Sequence, residues 1–164
     1  MKKFFALIIS AVMIISLSAC GADKTDTTSD LPAESQIEIA DSPAELLALA
    51  GLSEQQVKTA DITAVALTNG DSMGGSINVT AQSPSLDSFN AWYKQLYEAC
   101  KAVAEGGTVY TGLGRSYGKA FVFAPAASND FFGQFDYIYA GKEVLVTVTN
   151  ACENGDYSVS FVFE

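Results

Sequence analysis

Ser85-Leu86-Asp87-Ser88-Phe89-Asn90-Ala91-Trp92-Tyr93-Lys94-Gln95-Leu96-Tyr97-Glu98-Ala99-Cys100-Lys101-Ala102-Val103 sets the pattern for the middle of this 164-residue chain. Leu86, Phe89, Tyr93, Leu96, Cys100 and Val103 recur at steps of three and four, which places them on one stripe of a helix. Asp87, Asn90, Lys94, Gln95, Glu98 and Lys101 fall elsewhere. The spacing predicts an amphipathic helix from Ser83 or Ser85 to about Glu105, stopped by Gly106-Gly107. A stripe of this kind has to pack on another element, and aromatic residues at helical spacing are core-forming. Trp92 and Tyr97 are expected at the stripe's edge, where an amphipathic ring is half buried with its polar atom in water.

On either side of this helix the period is two. Ile62–Thr68 and Ser76–Ala81 alternate and are separated by Asn69-Gly70-Asp71-Ser72-Met73-Gly74-Gly75, a hairpin with a long connection. Asn69 and Asp71 carry ligand oxygens, but the spaced carboxylates and distal Glu of a calcium loop are missing, so turn chemistry accounts for the segment. From Val109 onward, Phe121–Ala124, Phe135–Ala140, Glu143–Thr149 and Tyr157–Phe163 are β-branched and aromatic. They are divided by Pro125, Gly141-Lys142 and Asn154-Gly155-Asp156, which suggests successive hairpins. Ahead of the first hairpin, Ser42-Pro43-Ala44-Glu45 has capping-box form and leads into Leu46, Leu47, Leu49 and Ala50, with Gly51 placed to end a short helix. A second begins near Ser53, with Gln56 three residues on. The whole predicts an α+β fold: a two-layer domain in which an antiparallel β-sheet carries one long amphipathic helix packed across one face.

The first twenty residues have a different character. Lys2 and Lys3 precede the apolar run Phe4–Ser16, and Leu17-Ser18-Ala19-Cys20 follows. A charged start, a short apolar core and small residues before a cleavage point describe an export signal. Leu17-Ser18-Ala19-Cys20 resembles the lipobox of bacterial lipoproteins, whose cysteine is diacylated after the preceding peptide bond is cut. The resemblance implies a signal peptide over residues 1–19, lipidation at Cys20, and a chain held on the extracytoplasmic face of a cell membrane by its N-terminal lipid. Gly21–Glu38 is rich in Asp, Thr, Ser and Ala and reads as a solvated tether completing a 20–38 segment, with a span of roughly 25 Å. Residues 39–164 fit a single domain, similar to small domains that follow lipoboxes in other bacterial lipoproteins, a similarity that implies no activity.

Charge and absences bound the function. Lys2 and Lys3 leave with the signal, so seven basic residues face nineteen acidic ones, a balance of minus twelve that disfavours nucleic acid and anionic lipid. The chain has no histidine, which excludes a Ser-His-Asp triad, a Cys-His pair and His-ligated metal; no metal or cofactor is expected. Carboxylate-only catalysis on cell-envelope glycan and Ser-Lys chemistry have no local signature, and a non-enzymatic binding or interaction module is the favoured expectation. An accessory subunit of an envelope complex is the further alternative, so the expected partners are a small ligand or an envelope protein. Two features are candidates for sites. Cys100 and Cys152 form a possible disulfide from helix to strand, set against two separate buried thiols; closing that loop would contribute about 4 kcal/mol in the ideal case. Tyr110-Thr111-Gly112-Leu113-Gly114-Arg115-Ser116-Tyr117-Gly118-Lys119 combines glycines, aromatics and cations, and Tyr110, Arg115, Tyr117 and Lys119 are its possible ligand-binding residues. It lacks the strand-before, helix-after context of a dinucleotide loop. Lys119 precedes Ala120 rather than the Ser or Thr of a phosphate loop, and a hairpin rim is the simpler reading. The sequon-like Asn78-Val79-Thr80 is taken as chance.

Overall fold

Alternation of apolar and polar residues organises the chain into a six-stranded antiparallel sheet accompanied by short and long helices, an α+β fold. The computed structural model describes residues 40–71, 74–112, 119–151 and 156–164. The elements are α1 (Pro43–Leu49), α2 (Glu54–Val57), β1 (Ile62–Asp71), β2 (Gly74–Ala81), α3 (Leu86–Val103), β3 (Tyr110–Thr111), β4 (Asp130–Tyr139), β5 (Lys142–Ala151) and β6 (Asp156–Phe163). The strand order is β1-β2-β6-β5-β4-β3. β1 is joined to β2, β4 to β5 and β5 to β6 as antiparallel neighbours in sequence. β2 pairs with β6, which brings the early hairpin against the last described strand.

Helix boundaries follow the capping chemistry. Ser42 Oγ accepts the Glu45 N–H at 3.2 Å, with Pro43 at the first helical position of α1. Gly51, at φ +77, takes the left-handed conformation just past the α1 C-cap. In α3, Ser85 Oγ accepts the Ser88 N–H and Ser88 Oγ accepts the Ser85 N–H, so a second serine supplies the reciprocal arm that Glu or Gln provides in the usual capping box. Ala140 (φ 51) and Gly141 (φ 77) form the two-residue turn of the β4–β5 hairpin, the positive-φ pair that lets tight hairpin strands keep their twist.

Register sorts the sheet into two faces. On the inner face, Val79, Tyr157, Asn150 and Phe131 lie in one cross-strand row; Ile77, Val159 and Val148 lie in the next, and Phe161, Val146 and Phe135 in a third. Apart from the buried amide Asn150 and the partly buried Phe131, which packs against them, these residues belong to the hydrophobic core, together with Leu46, Leu47, Phe89, Trp92, Tyr93 and Leu96. Rings from α3 meet rings from the sheet: Phe89 lies 5.1 Å from Tyr157 and 5.5 Å from Phe131, Trp92 5.4 Å from Tyr157, and Tyr97 5.9 Å from Phe135. Edge-to-face and offset pairs of this kind add to the area that they bury.

The chain from Ala120 to Ala126 adds a further flank. Phe121–Ala124 within it was expected as a strand, yet the segment forms only a bridge, Tyr110 to Ala120, with Phe121 N–H donating to the Val109 carbonyl at 2.8 Å. Phe121 and Phe123 turn inward onto Tyr97 and Tyr93 while Val122 between them is exposed. Asn90 of α3 pins the segment by accepting the Ala126 N–H at 2.7 Å and donating to the Ala126 carbonyl at 3.1 Å.

Two other expectations differ from the structure. β4 begins at Asp130, five residues before the expected start at Phe135, because Gly133 interrupts the β-branched and aromatic run without interrupting the ladder. Trp92 and Tyr97 are buried within the core; Trp92 Nε1–H donates to the Val57 carbonyl at 3.0 Å, so its polar atom is satisfied by protein and not by water. Two polar side chains are also fully enclosed, Asp136 and Asn150.

Candidate functional site

The residues that alternate with the core form the outer face of the same strands. In register across β2, β6, β5 and β4, Ser76, Ser160, Thr147 and Gln134 make one row, and Asn78, Ser158, Thr149 and Phe132 the next. Thr149 Oγ1 donates to Ser158 Oγ at 3.1 Å and Gln134 Nε2 donates to Thr147 Oγ1 at 3.1 Å, which orients part of the array. All eight side chains are uncharged; the acids Asp130, Asp156 and Glu143 stand around them at strand ends. Phe132 is 66% exposed in this otherwise hydrophilic surface. Desolvating an exposed phenyl ring is favourable, so a ring held out from a rigid ladder is a ready contact point.

A third row carries Val162, Leu145, Asp136 and Tyr110. Tyr110 is half-buried on the outer face, and Asp136 beside it is 0% exposed. Four residues along β4 and one strand across separate Phe132 from Tyr110, about 14 Å at ordinary strand spacing. The two rings thus flank Gln134 on the same surface.

The sequence-derived candidates meet this surface only in part. Tyr110 belongs to it. Lys119 is exposed and its carbonyl accepts both the Thr111 N–H and Thr111 Oγ1–H at 3.1 Å. Since Ala120 is bridged to Tyr110, Lys119 has the opposite parity and points away from the face that Tyr110 occupies. Arg115 and Tyr117 lie outside the described residues, as do Cys20, the tether and Cys152. The described flanks of the glycine-rich loop form a short antiparallel hairpin, with Tyr110–Thr111 on one arm and Lys119–Phe121 on the other.

Cys100 is a buried thiol in the surroundings of Tyr137, whose hydroxyl donates to the Ala50 carbonyl at 2.6 Å. Burial pushes the thiol up to about 12 and raises the Tyr137 hydroxyl as well, so Cys100 is protonated and poorly nucleophilic at neutral pH. Cys100 stands as a free thiol, and its expected partner Cys152 lies outside the described residues.

Phe132 was missed from sequence, although a signal for it exists. Phe131 and Phe132 are adjacent in a strand, so one of them has to face away from the core. Phe131 packs on Phe89 and Tyr93, leaving Phe132 outward. Among the described residues, no group of three or more His, Cys, Asp or Glu is placed to hold a metal ion, and no helix is long and apolar enough to cross a membrane. No protein-family model, curated protein or solved structure matches this chain.

Proposed function

We propose that this chain is a lipid-anchored extracytoplasmic lipoprotein whose domain acts as a non-enzymatic binding module, presenting the outer face of its sheet to a ligand or envelope partner. The observation that carries the binding reading is Phe132, exposed at the β4 end of an ordered array of hydroxyl and amide side chains with Tyr110 on the same surface. The array offers donors, acceptors and an apolar ring, and it offers no nucleophile–base pair. The anchor rests on Leu17-Ser18-Ala19-Cys20, and the acidic 20–38 tether keeps the domain clear of lipid headgroups. In this reading the domain is two-layered, with α3 lying across the inner face, so the outer face is left for recognition; the ring contacts of Phe89, Trp92 and Tyr97 with β4 and β6 support that arrangement.

Two measurements test the proposal. Cells expressing the full chain and fed an alkyne fatty acid should yield a labelled, membrane-bound protein, while Cys20→Ala should be unlabelled and released. Equal labelling of both removes the anchor. A thermal-shift panel of sugars, cell-wall fragments, peptides, amino acids and divalent metals on the full chain in micelles tests binding. A ligand at one hundred times its Kd adds about 2.7 kcal/mol. A hit whose shift survives substitution of both Phe132 and Tyr110 would remove the outer face from the reading.

A further inference from the structure

We infer that the outer face of the sheet is a docking surface for a neutral glycan chain, with Phe132 and Tyr110 as stacking platforms and the Ser, Thr, Asn and Gln side chains between them as hydrogen-bonding partners. The inference deepens the binding-module reading and rests on it. The central eight side chains carry no charge, whereas the chain as a whole has a net charge of −10. An anionic polymer would approach an acidic molecule through a face whose described side chains include no cation, so nucleic acids and acidic polysaccharides are disfavoured. A bilayer surface calls for basic residues beside a large apolar area, and the described residues of this face supply neither. An extended peptide takes a sheet edge through main-chain hydrogen bonds and a helical one takes an apolar groove, while this array is made of side chains on the face of the ladder.

What remains is a ligand that is uncharged, rich in hydroxyls and apolar on the faces of its rings. A pyranose has both properties. Its axial C–H bonds carry slight positive charge and sit against the negative face of a phenyl ring, while its equatorial hydroxyls point sideways to donors and acceptors in the plane. Ser76, Asn78 and Ser160 make no side-chain hydrogen bond to another described residue, so their full capacity faces outward; Thr149, Ser158, Gln134 and Thr147 are already oriented by their mutual bonds. The line from Phe132 to Tyr110 runs mainly along β4 and passes over Gln134, so a chain lying along the strand meets both rings. At about 14 Å apart they fit a run of several sugars rather than a single one.

The test uses the full chain in detergent micelles with cellohexaose, maltohexaose and chitohexaose as probes, read by NMR line broadening of the sugar and by affinity electrophoresis in gels containing the matching polymer. Binding of at least one probe is expected, with Phe132→Ala weakening Kd by about tenfold and Phe132→Trp restoring it. A Tyr110→Ala variant should weaken the hexasaccharide more than the disaccharide of the same sugar, because only the longer chain reaches both rings. Unchanged thermal unfolding of Phe132→Ala separates lost recognition from lost folding. Binding of no probe by the folded wild-type chain overturns the inference, as does equal binding by Phe132→Ala. A peptide hit that depends on Phe132 would also overturn it while leaving the binding-module reading intact, and fatty-acid labelling at Cys20 is unaffected by any of these outcomes.

Discussion

The two faces of one sheet are built from the same strands and differ only in residue parity, yet they differ in what a substitution there would change. On the inner face, Tyr157, Val159, Phe161, Val146, Val148 and Phe135 are closed off from water; Tyr157 meets the Phe89 and Trp92 rings of α3, and Phe135 meets those of Tyr97 and Phe121. On the outer face, Ser158, Ser160, Thr147, Thr149 and Gln134 stay partly solvated, with Thr149 bonded to Ser158 and Gln134 to Thr147. Stability is thereby concentrated on one parity, leaving the other free to vary in chemistry at little cost to the fold. The division is not perfect. Asn150 is an amide in the apolar row between Tyr157 and Phe131, 1% exposed, and neither its oxygen nor its nitrogen has a hydrogen-bond partner.

Phe89→Ala should break the inner face most severely, because its ring meets Trp92, Tyr93, Phe131 and Tyr157 at once. A loss of about 3–5 kcal/mol in urea unfolding is expected, and a loss under 1 kcal/mol would contradict the packing described. Alkali should attack the same face more gradually. Burial holds the Cys100 thiol and the Tyr93 hydroxyl protonated up to about 12, from ordinary values of 9.0 and 10.0. The unfolded chain loses these protons first, so the stability they supply is complete below pH 9 and is lost as the pH climbs towards 12. Urea midpoints should fall above pH 9, and Cys100→Ala should delay the onset of that fall; a flat profile between pH 9 and about 11 would count against both burials.

Replacing the one polar intruder tests the comparison from the other side. Asn150→Leu fills a similar volume and removes two unsatisfied polar atoms, so a gain of about 1 kcal/mol in the urea midpoint analysis is expected. An equal loss would show that the amide has a partner in solution. The smallest effect belongs to the outer face: Phe132→Ser should leave thermal stability within about 0.5 kcal/mol of the parent. A large drop there would mean that the ring is packed against something and is not free to receive a ligand.

Much of this division was readable from the period of the sequence. The stripe Leu86–Val103 and its Ser85 start predicted α3 closely, and the dividers Gly141-Lys142 and Asn154-Gly155-Asp156 placed the last hairpins. Strand order was not readable, because the pairing of β2 with β6 depends on contacts between distant residues that no local signal encodes. The start of β4 was obscured by Gly133, whose open position is used by neighbouring rings: a Cβ there would meet the Phe131 ring at 2.7 Å and the Tyr93 hydroxyl at 3.0 Å. The candidate site was harder to see. Glycines and cations drew attention to the loop after Tyr110, whereas the outer face is assembled from ordinary serines and threonines that acquire meaning only once four strands align them.

The pairing of β2 with β6 also sets the order in which the molecule can be made. Thr80 and Asp156, 76 positions apart, are joined across this seam by a 3.2 Å hydrogen bond. A nascent chain can form the β1–β2 hairpin early, but that hairpin has no neighbour on its β6 side until β6 has emerged. Until then β2 is an exposed edge able to pair with other chains. Maturation therefore depends on the final eight-residue strand, Asp156–Phe163, and a chain truncated before it would lose the strand that joins the two hairpins, not merely a terminus.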